Sequence, residues 1–350
     1  MVPERFWHTA KPKSPMGRCN VVAGVRKPIL PARSTARCKS IPCYNKREEA
    51  IELIPWLALP MRVGESVAVA SLLLAFFPGT RAQTTCARQV ESCQRELVPY
   101  RDWPKVKHPA WSLKLVTPQG GQLYYFGSYH SKDPQHSQNA KIEKIFKKFR
   151  PTIVFYEGTA RSVAATREEA IRSGAEAGLV RFLAAQAKIP FITMDPARKD
   201  EVAFLLKRFR PIEVKLFEVL QIVSEWREHD HFDENEIKTR ISSLLENMYK
   251  VPGMETVVRT PEELDTAYHE HWSEPPNWWQ APAKWFAPNA DRVATGRMFT
   301  NEIAVMQSEF RDVNMYRVLA EAVRRGERVF AVVGRNHIPM QEPALRCALQ

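Results

Sequence analysis

Three apolar runs in this chain each end on a residue able to bind a metal or move a proton. Leu123-Tyr124-Tyr125-Phe126 runs into Gly127-Ser128-Tyr129-His130, and Ile153-Val154-Phe155-Tyr156 into Glu157-Gly158. Near the end, Val329-Phe330-Ala331-Val332-Val333 runs into Gly334-Arg335-Asn336-His337. Short apolar runs of this kind predict buried strands, and the glycine is expected to let the backbone turn at the strand's end. In open α/β sheets, sites form at the carboxyl ends of strands. Two imidazoles and a carboxylate gathered there would suit zinc, manganese, cobalt or iron. With one coordination position open, such an ion would activate water for hydrolysis.

A lone Gly-x-x-His carries little weight, because a histidine in a turn more often satisfies local hydrogen bonds than binds metal. Two copies and a Glu-Gly, each after an apolar run, are more specific. Asp195, closing the short run Phe191-Ile192-Thr193-Met194, is expected as a fourth ligand or as a partner to a histidine. Arg311 is expected to stabilise an oxyanion. His229, His231, His269 and His271 lack the helical His-Glu-x-x-His spacing and read as solvated surface histidines.

The elements that must position these groups emerge from periodicity. Trp111 to Val116 and Leu123 to Phe126 flank Thr117-Pro118-Gln119-Gly120-Gly121, the pattern of a β-hairpin. Ile142, Ile145, Phe146 and Phe149 mark one face of a helix ended by Pro151. Thr166 to Lys188 is helical but holds Gly174 and Gly178, which can divide it in two. The alternation of strand and helix argues a largely parallel sheet. Residues 200–300 read as a helical insertion, broken at Pro211. Its Pro/Trp-rich stretch from Pro275 to Pro288 reads as a loop packed on the body, with a cover over the site as the competing reading. Thr300 is expected to cap a helix running to Arg325, with Gly326 as its stop.

The net charge of +12 is concentrated at the front. Residues 1–60 hold 11 Lys/Arg and 4 Asp/Glu, a net of +7; residues 61–82 add +1, leaving +4 for residues 83–350. That distribution argues against a nucleic-acid partner; a peptide or small-molecule substrate is what the hydrolytic reading of the site expects. Residues 1–60 lack a sustained period and read as disordered, or as an upstream extension ahead of a true start at Met61. From Met61, a short basic segment, the apolar run Val67–Phe77 and small residues through Ala82 form a signal-peptide pattern. Eleven residues are too few to span a bilayer, so no stable membrane span is expected after cleavage. A buried apolar helix is the alternative. Export predicts a periplasmic or secreted protein with oxidised cysteines, and proximity in sequence favours Cys86 with Cys93, leaving Cys347 over.

The chain resembles the TraB/GumN group, which includes the Tiki-type proteases and is related to the ChaN and erythromycin-esterase lineage. The resemblance rests on Gly127-Ser128-Tyr129-His130, Tyr156-Glu157-Gly158, Arg311-Asp312-Val313-Asn314-Met315 and Val333-Gly334-Arg335-Asn336-His337. It covers roughly residues 110–345. It implies an α/β core, a mixed and largely parallel sheet built from two similar halves, with the site using both histidines and the glutamate. It further implies a divalent metal held by His130, Glu157 and His337, with Glu157 and Arg311 as catalytic groups. The implied activity is metal-dependent hydrolysis, of a peptide bond if the chain is like the Tiki branch. A non-catalytic haem or iron binder of ChaN type, or a degenerate scaffold, is the alternative. Here Tyr129 and Arg335 are bulky and would narrow the mouth of the site.

Overall fold

In the computed structural model, which describes residues 88–107, 111–290 and 298–350, five strands form one mixed sheet. The segments assigned to an upstream extension and a signal peptide, together with Cys86, lie outside the described residues. The strands are β1 (Ser112–Val116), β2 (Gln122–Ser128), β3 (Ile153–Tyr156), β4 (Phe191–Thr193) and β5 (Arg328–Gly334). Their order across the sheet is β1-β2-β5-β3-β4. Only the β1–β2 hairpin is antiparallel; β2, β5, β3 and β4 run parallel. The helices are α1 (Ser137–Phe149), α2 (Arg167–Gln186), α3 (Arg198–Leu205), α4 (Pro211–Glu228), α5 (Glu234–Tyr249), α6 (Pro261–His269), α7 (Phe299–Arg324) and α8 (His337–Leu349).

Strand β5 is buried on both faces, which is why its sequence is continuously apolar rather than alternating. Val329, Ala331 and Val333 pack with Met315, Leu319 and Val323 of α7 and with Leu345 of α8. Phe330 and Val332, pointing the other way, pack with Ile142 and Phe146 of α1 and with Ile171 and Leu179 of α2. The result is a helix–sheet–helix sandwich around the strand that must deliver His337.

Helices α3 to α6 form the insertion between β4 and β5 and bury a separate cluster, with Phe217, Leu220, Ile241 and Tyr268 at its centre. Pro211 starts α4 at a position where its missing N–H costs nothing, so it separates α3 from α4. Trp278, Trp285 and Phe286 of the Pro/Trp stretch are buried in this same cluster. Helix α7 begins one residue before Thr300, with Met298 as its cap, so Thr300 does not cap it and is fully buried instead. Among the described residues no helix is long and apolar enough to cross a membrane.

The cysteine pairing differs from the expected one. Cys93 is bonded to Cys347, with Cα atoms 5.6 Å apart and a sequence separation of 254. Proximity in sequence favours Cys86, but packing of α8 against the segment around Cys93 sets the pair: Val90, Cys93, Ala348 and Leu349 share one buried cluster. Cys93 is thereby unavailable to Cys86.

Candidate active site

The expected donors meet because their strands are neighbours. Strand β5 lies between β2 and β3. Register places Ser128 of β2 beside Gly334 of β5, and Tyr156 of β3 beside Val332. His130 therefore comes just after the end of β2, Glu157 just after β3, and His337 opens α8 after β5. The two glycines serve close approach rather than turning, and neither has a positive φ. A Cβ on Gly334 would stand 2.5 Å from His130 Nε2, and one on Gly127 would stand 2.8 Å from the Cα of Arg335. The turn after β2 is taken by His130 itself, at φ 53°.

Each imidazole is locked at Nδ1 by a carboxylate. His130 Nδ1 is 2.6 Å from Glu176 Oε1, and His337 Nδ1 is 2.6 Å from Asp312 Oδ1. Each then aims Nε2 at Glu157: 3.9 Å from His130 to Oε2 and 3.6 Å from His337 to Oε1. A carboxylate on the far nitrogen fixes ring orientation and strengthens the near one as a donor. Asp312 is held in turn by Gln341 Nε2 at 2.6 Å, and Gln341 accepts from the Tyr125 hydroxyl at 3.1 Å. Glu176 reaches His130 because α2 breaks at Gly174 and Ala175, where Ala175 has φ 47°.

Glu157 is held from two further sides. The Gly334 N–H donates to Oε2 at 2.5 Å, and Arg311 Nη2 donates to Oε1 at 2.5 Å. Arg311 is oriented by Asp195, with Nε 2.9 Å from Oδ1 and Nη2 3.1 Å from Oδ2. Asp195 also accepts from the Gly158 N–H at 2.7 Å. Asp195 is thus the partner of Arg311, not of a histidine, because the end of β4 faces α7 rather than the imidazoles. Asn314, one turn on from Arg311, donates to the Met194 carbonyl at 2.8 Å and pins α7 to the same strand end.

These contacts set the charges. Burial opposes ionisation of Glu157, but Arg311 and His337 outweigh it and hold the carboxyl well below its ordinary range. Burial likewise opposes the charged form of His337, yet Asp312 and Glu157 raise it to about 10. His130 is desolvated by the cleft walls, though its hydrogen bond to Glu176 and the charge of Glu157 raise it to about 9. Its side chain keeps 51% exposure at the cleft mouth, where solvent tempers these interactions more than at His337.

The cleft above these groups holds about 360 Å³. Its walls include Tyr129, Glu225, Phe286, Pro288 and Arg335. The Pro/Trp stretch thus serves both as core and, through Phe286 and Pro288, as a wall of the cleft. A second cavity of about 530 Å³, floored by Val305 and Met306, shares Tyr100 and Pro288 with the first. Tyr100 is buried with its hydroxyl 3.5 Å from His337 Nδ1.

Of the residues expected at the site, His130, Glu157, Arg311 and His337 line this cleft, whereas Asp195 does not. His229, His231 and His269 are exposed and His271 is half-buried beside Phe299 and Trp272; none lines it. Glu176, Asp312, Tyr100 and Gln341 were not singled out as site groups by sequence reasoning. Asp312 stood inside a quoted motif, and a carboxylate next to Arg311 was its only signal.

Two Nε2 atoms of fixed orientation face one carboxylate, donor types that would suit a divalent ion. Among the described residues, however, no group of three or more His, Cys, Asp or Glu is placed to hold a metal ion. Searches of family models, of curated proteins and of solved structures find no match to this chain.

Proposed function

We propose that this chain is a metal-dependent hydrolase of TraB/GumN type, acting on a peptide or small-molecule substrate. One observation carries the reading: both imidazoles are locked at Nδ1 by carboxylates and turn Nε2 to the same Glu157. Each of the four segments that give the resemblance contributes to the lining of this cleft, which supports the family reading.

His130, His337 and Glu157 would hold the ion, of the manganese, cobalt, zinc or iron class. Bound there, it would supply an activated water and polarise the scissile carbonyl. The chain's own residues do the rest. Asp312 and Glu176 hold Nδ1 of each histidine, so that Nε2, once an ion displaced its proton, would face that ion. Arg311 and the Gly334 N–H fix both oxygens of Glu157. A carboxylate held so far below its ordinary range is a weak proton acceptor, which favours a ligand role for Glu157 over a general-base role. Arg311, gripping Asp195 and Glu157 together, positions the carboxylate and adds positive charge beside developing negative charge. The Cys93–Cys347 bond suits an oxidising compartment and supports the reading of an exported, periplasmic or secreted protein.

The test is elemental analysis of protein expressed from Met61 with its export signal intact, and then stripping and restoring the metal while peptide cleavage is measured. Bound metal that is lost in the His130→Ala, His337→Ala double variant, together with metal-dependent cleavage, is the expected result. Undiminished metal in that variant refutes the assignment. A Soret band without hydrolysis would instead favour the ChaN-type binder.

A further inference from the structure

Arg335 occupies an unusual place for a guanidinium. It lies half-buried against two aromatic rings, its Cζ 5.0 Å from the centroid of Trp111 and 4.4 Å from that of Tyr129. It also lines the cleft that holds His130, Glu157 and His337. Among the described residues it has no carboxylate partner. Its hydrogen bonds are made by the backbone: the N–H donates to the Ser128 carbonyl at 3.1 Å and the carbonyl accepts from the Ile338 N–H at 3.2 Å.

Each part of this arrangement has a consequence. A ring against the face of a guanidinium leaves its in-plane N–H groups able to donate elsewhere. Ordering that long side chain in advance removes much of the entropy a ligand would otherwise have to overcome. The other guanidinium in the cleft is not available in the same way, since Arg311 already grips Glu157 and Asp195. His130, His337 and Arg311 each stand against a carboxylate, Glu176, Asp312 and Asp195 respectively, so among the described residues Arg335 is the basic side chain of this lining left without one.

We propose that Arg335, held against Trp111 and Tyr129, is the substrate anchor of this cleft and binds a carboxylate of a peptide substrate. A planar carboxylate matches the fork of a guanidinium bidentately, with the reacting bond left over His130, Glu157 and His337. The carboxylate is either the chain terminus of the peptide or an acidic side chain near the cleaved bond. Cleavage of the anchored peptide rests on the hydrolase reading, whereas its binding does not.

The experiment uses the full chain and four probes: N-acetyl-trialanine as the free acid, its C-terminal amide, and amide peptides in which one alanine is Glu or Gln. Binding is measured by calorimetry and cleavage by product analysis. The expected result is that an anionic probe binds roughly tenfold to a hundredfold tighter than its neutral counterpart. Preference for the free acid identifies the terminus as the carboxylate; preference for Glu over Gln identifies the side chain. Arg335→Met should abolish the difference, and Arg335→Lys should keep part of it, because an ammonium retains charge but not the planar fork. A wild-type protein indifferent to charge, or an Arg335→Met variant that still discriminates, overturns the proposal. Discrimination in binding with no cleavage of any probe upholds the anchor and sinks the hydrolase reading. Cleavage without discrimination does the reverse.

Discussion

Gly334 and His130 stand so close that a single added carbon would collide: a Cβ at position 334 falls 2.5 Å from His130 Nε2 and 3.2 Å from Glu157 Oε2. The strand that carries one motif is therefore shaped around the histidine of the other. Gly334→Ala should drive His130 away from Glu157 while leaving the sheet paired. The expected outcome is loss of bound metal with a stability cost of about 1–3 kcal/mol, read from elemental analysis and a denaturant melt. Normal metal content in that variant would show that the approach does not matter.

The carboxylates behind the histidines should matter nearly as much as the histidines. Glu176→Gln and Asp312→Asn keep shape but remove the charge that fixes each ring. Each should lower metal affinity by about 10- to 100-fold. Competition with a chelator of known affinity measures it. An unchanged affinity in both variants would mean that the imidazoles are oriented by packing alone.

Glu201 predicts a pH effect on stability. It is 8% exposed, its Oε1 has no hydrogen-bond partner, and burial together with Glu218 pushes its carboxyl up to about 7. An unfolded chain releases that proton near the ordinary 4.5. Between these values the folded protein binds more protons than the unfolded one, so stability falls as pH rises. The loss is complete above about 7 and amounts to about 3 kcal/mol. Glu201→Gln should therefore be more stable than the parent in urea melts near pH 8 and equal to it near pH 4. A variant less stable at both values would contradict the assignment.

The cross-link makes a fourth prediction. Cys93 and Cys347 close a loop of 254 residues, so their bond chiefly restricts the unfolded chain. Replacing both with serine should cost about 2–5 kcal/mol of stability. Neither cysteine lines the cleft, so metal content at low temperature should be retained. Thermal melts with and without reductant check the first part, and elemental analysis the second.

Those four experiments also mark what could be foreseen from the chain alone. His130, Glu157 and His337 were legible because each comes after a run apolar enough to be a buried strand, and strand ends of one parallel sheet lie along one edge. The helix break at Gly174 was visible as well, since glycine weakens a helix wherever it stands. What the break accomplishes was not visible: Glu176 meets His130 only because Ala175 takes a left-handed conformation, and an alanine gives no warning of that. The role of Asp195 was hidden for a similar reason, because its partner depends on which way α7 crosses the sheet. The disulfide was missed because nearness in sequence is a poor guide once a terminal helix packs back on the start of the fold.

Strand β5 is the last to be made, yet it sits in the middle of the sheet with β2 on one side and β3 on the other. Until Arg328–Gly334 is in place, those two strands have no shared neighbour, and the groups that end them have nothing to hold them together. The three groups at those strand ends can therefore meet only after the sheet has closed around β5, so the cleft is a product of the completed sheet rather than of any one local segment.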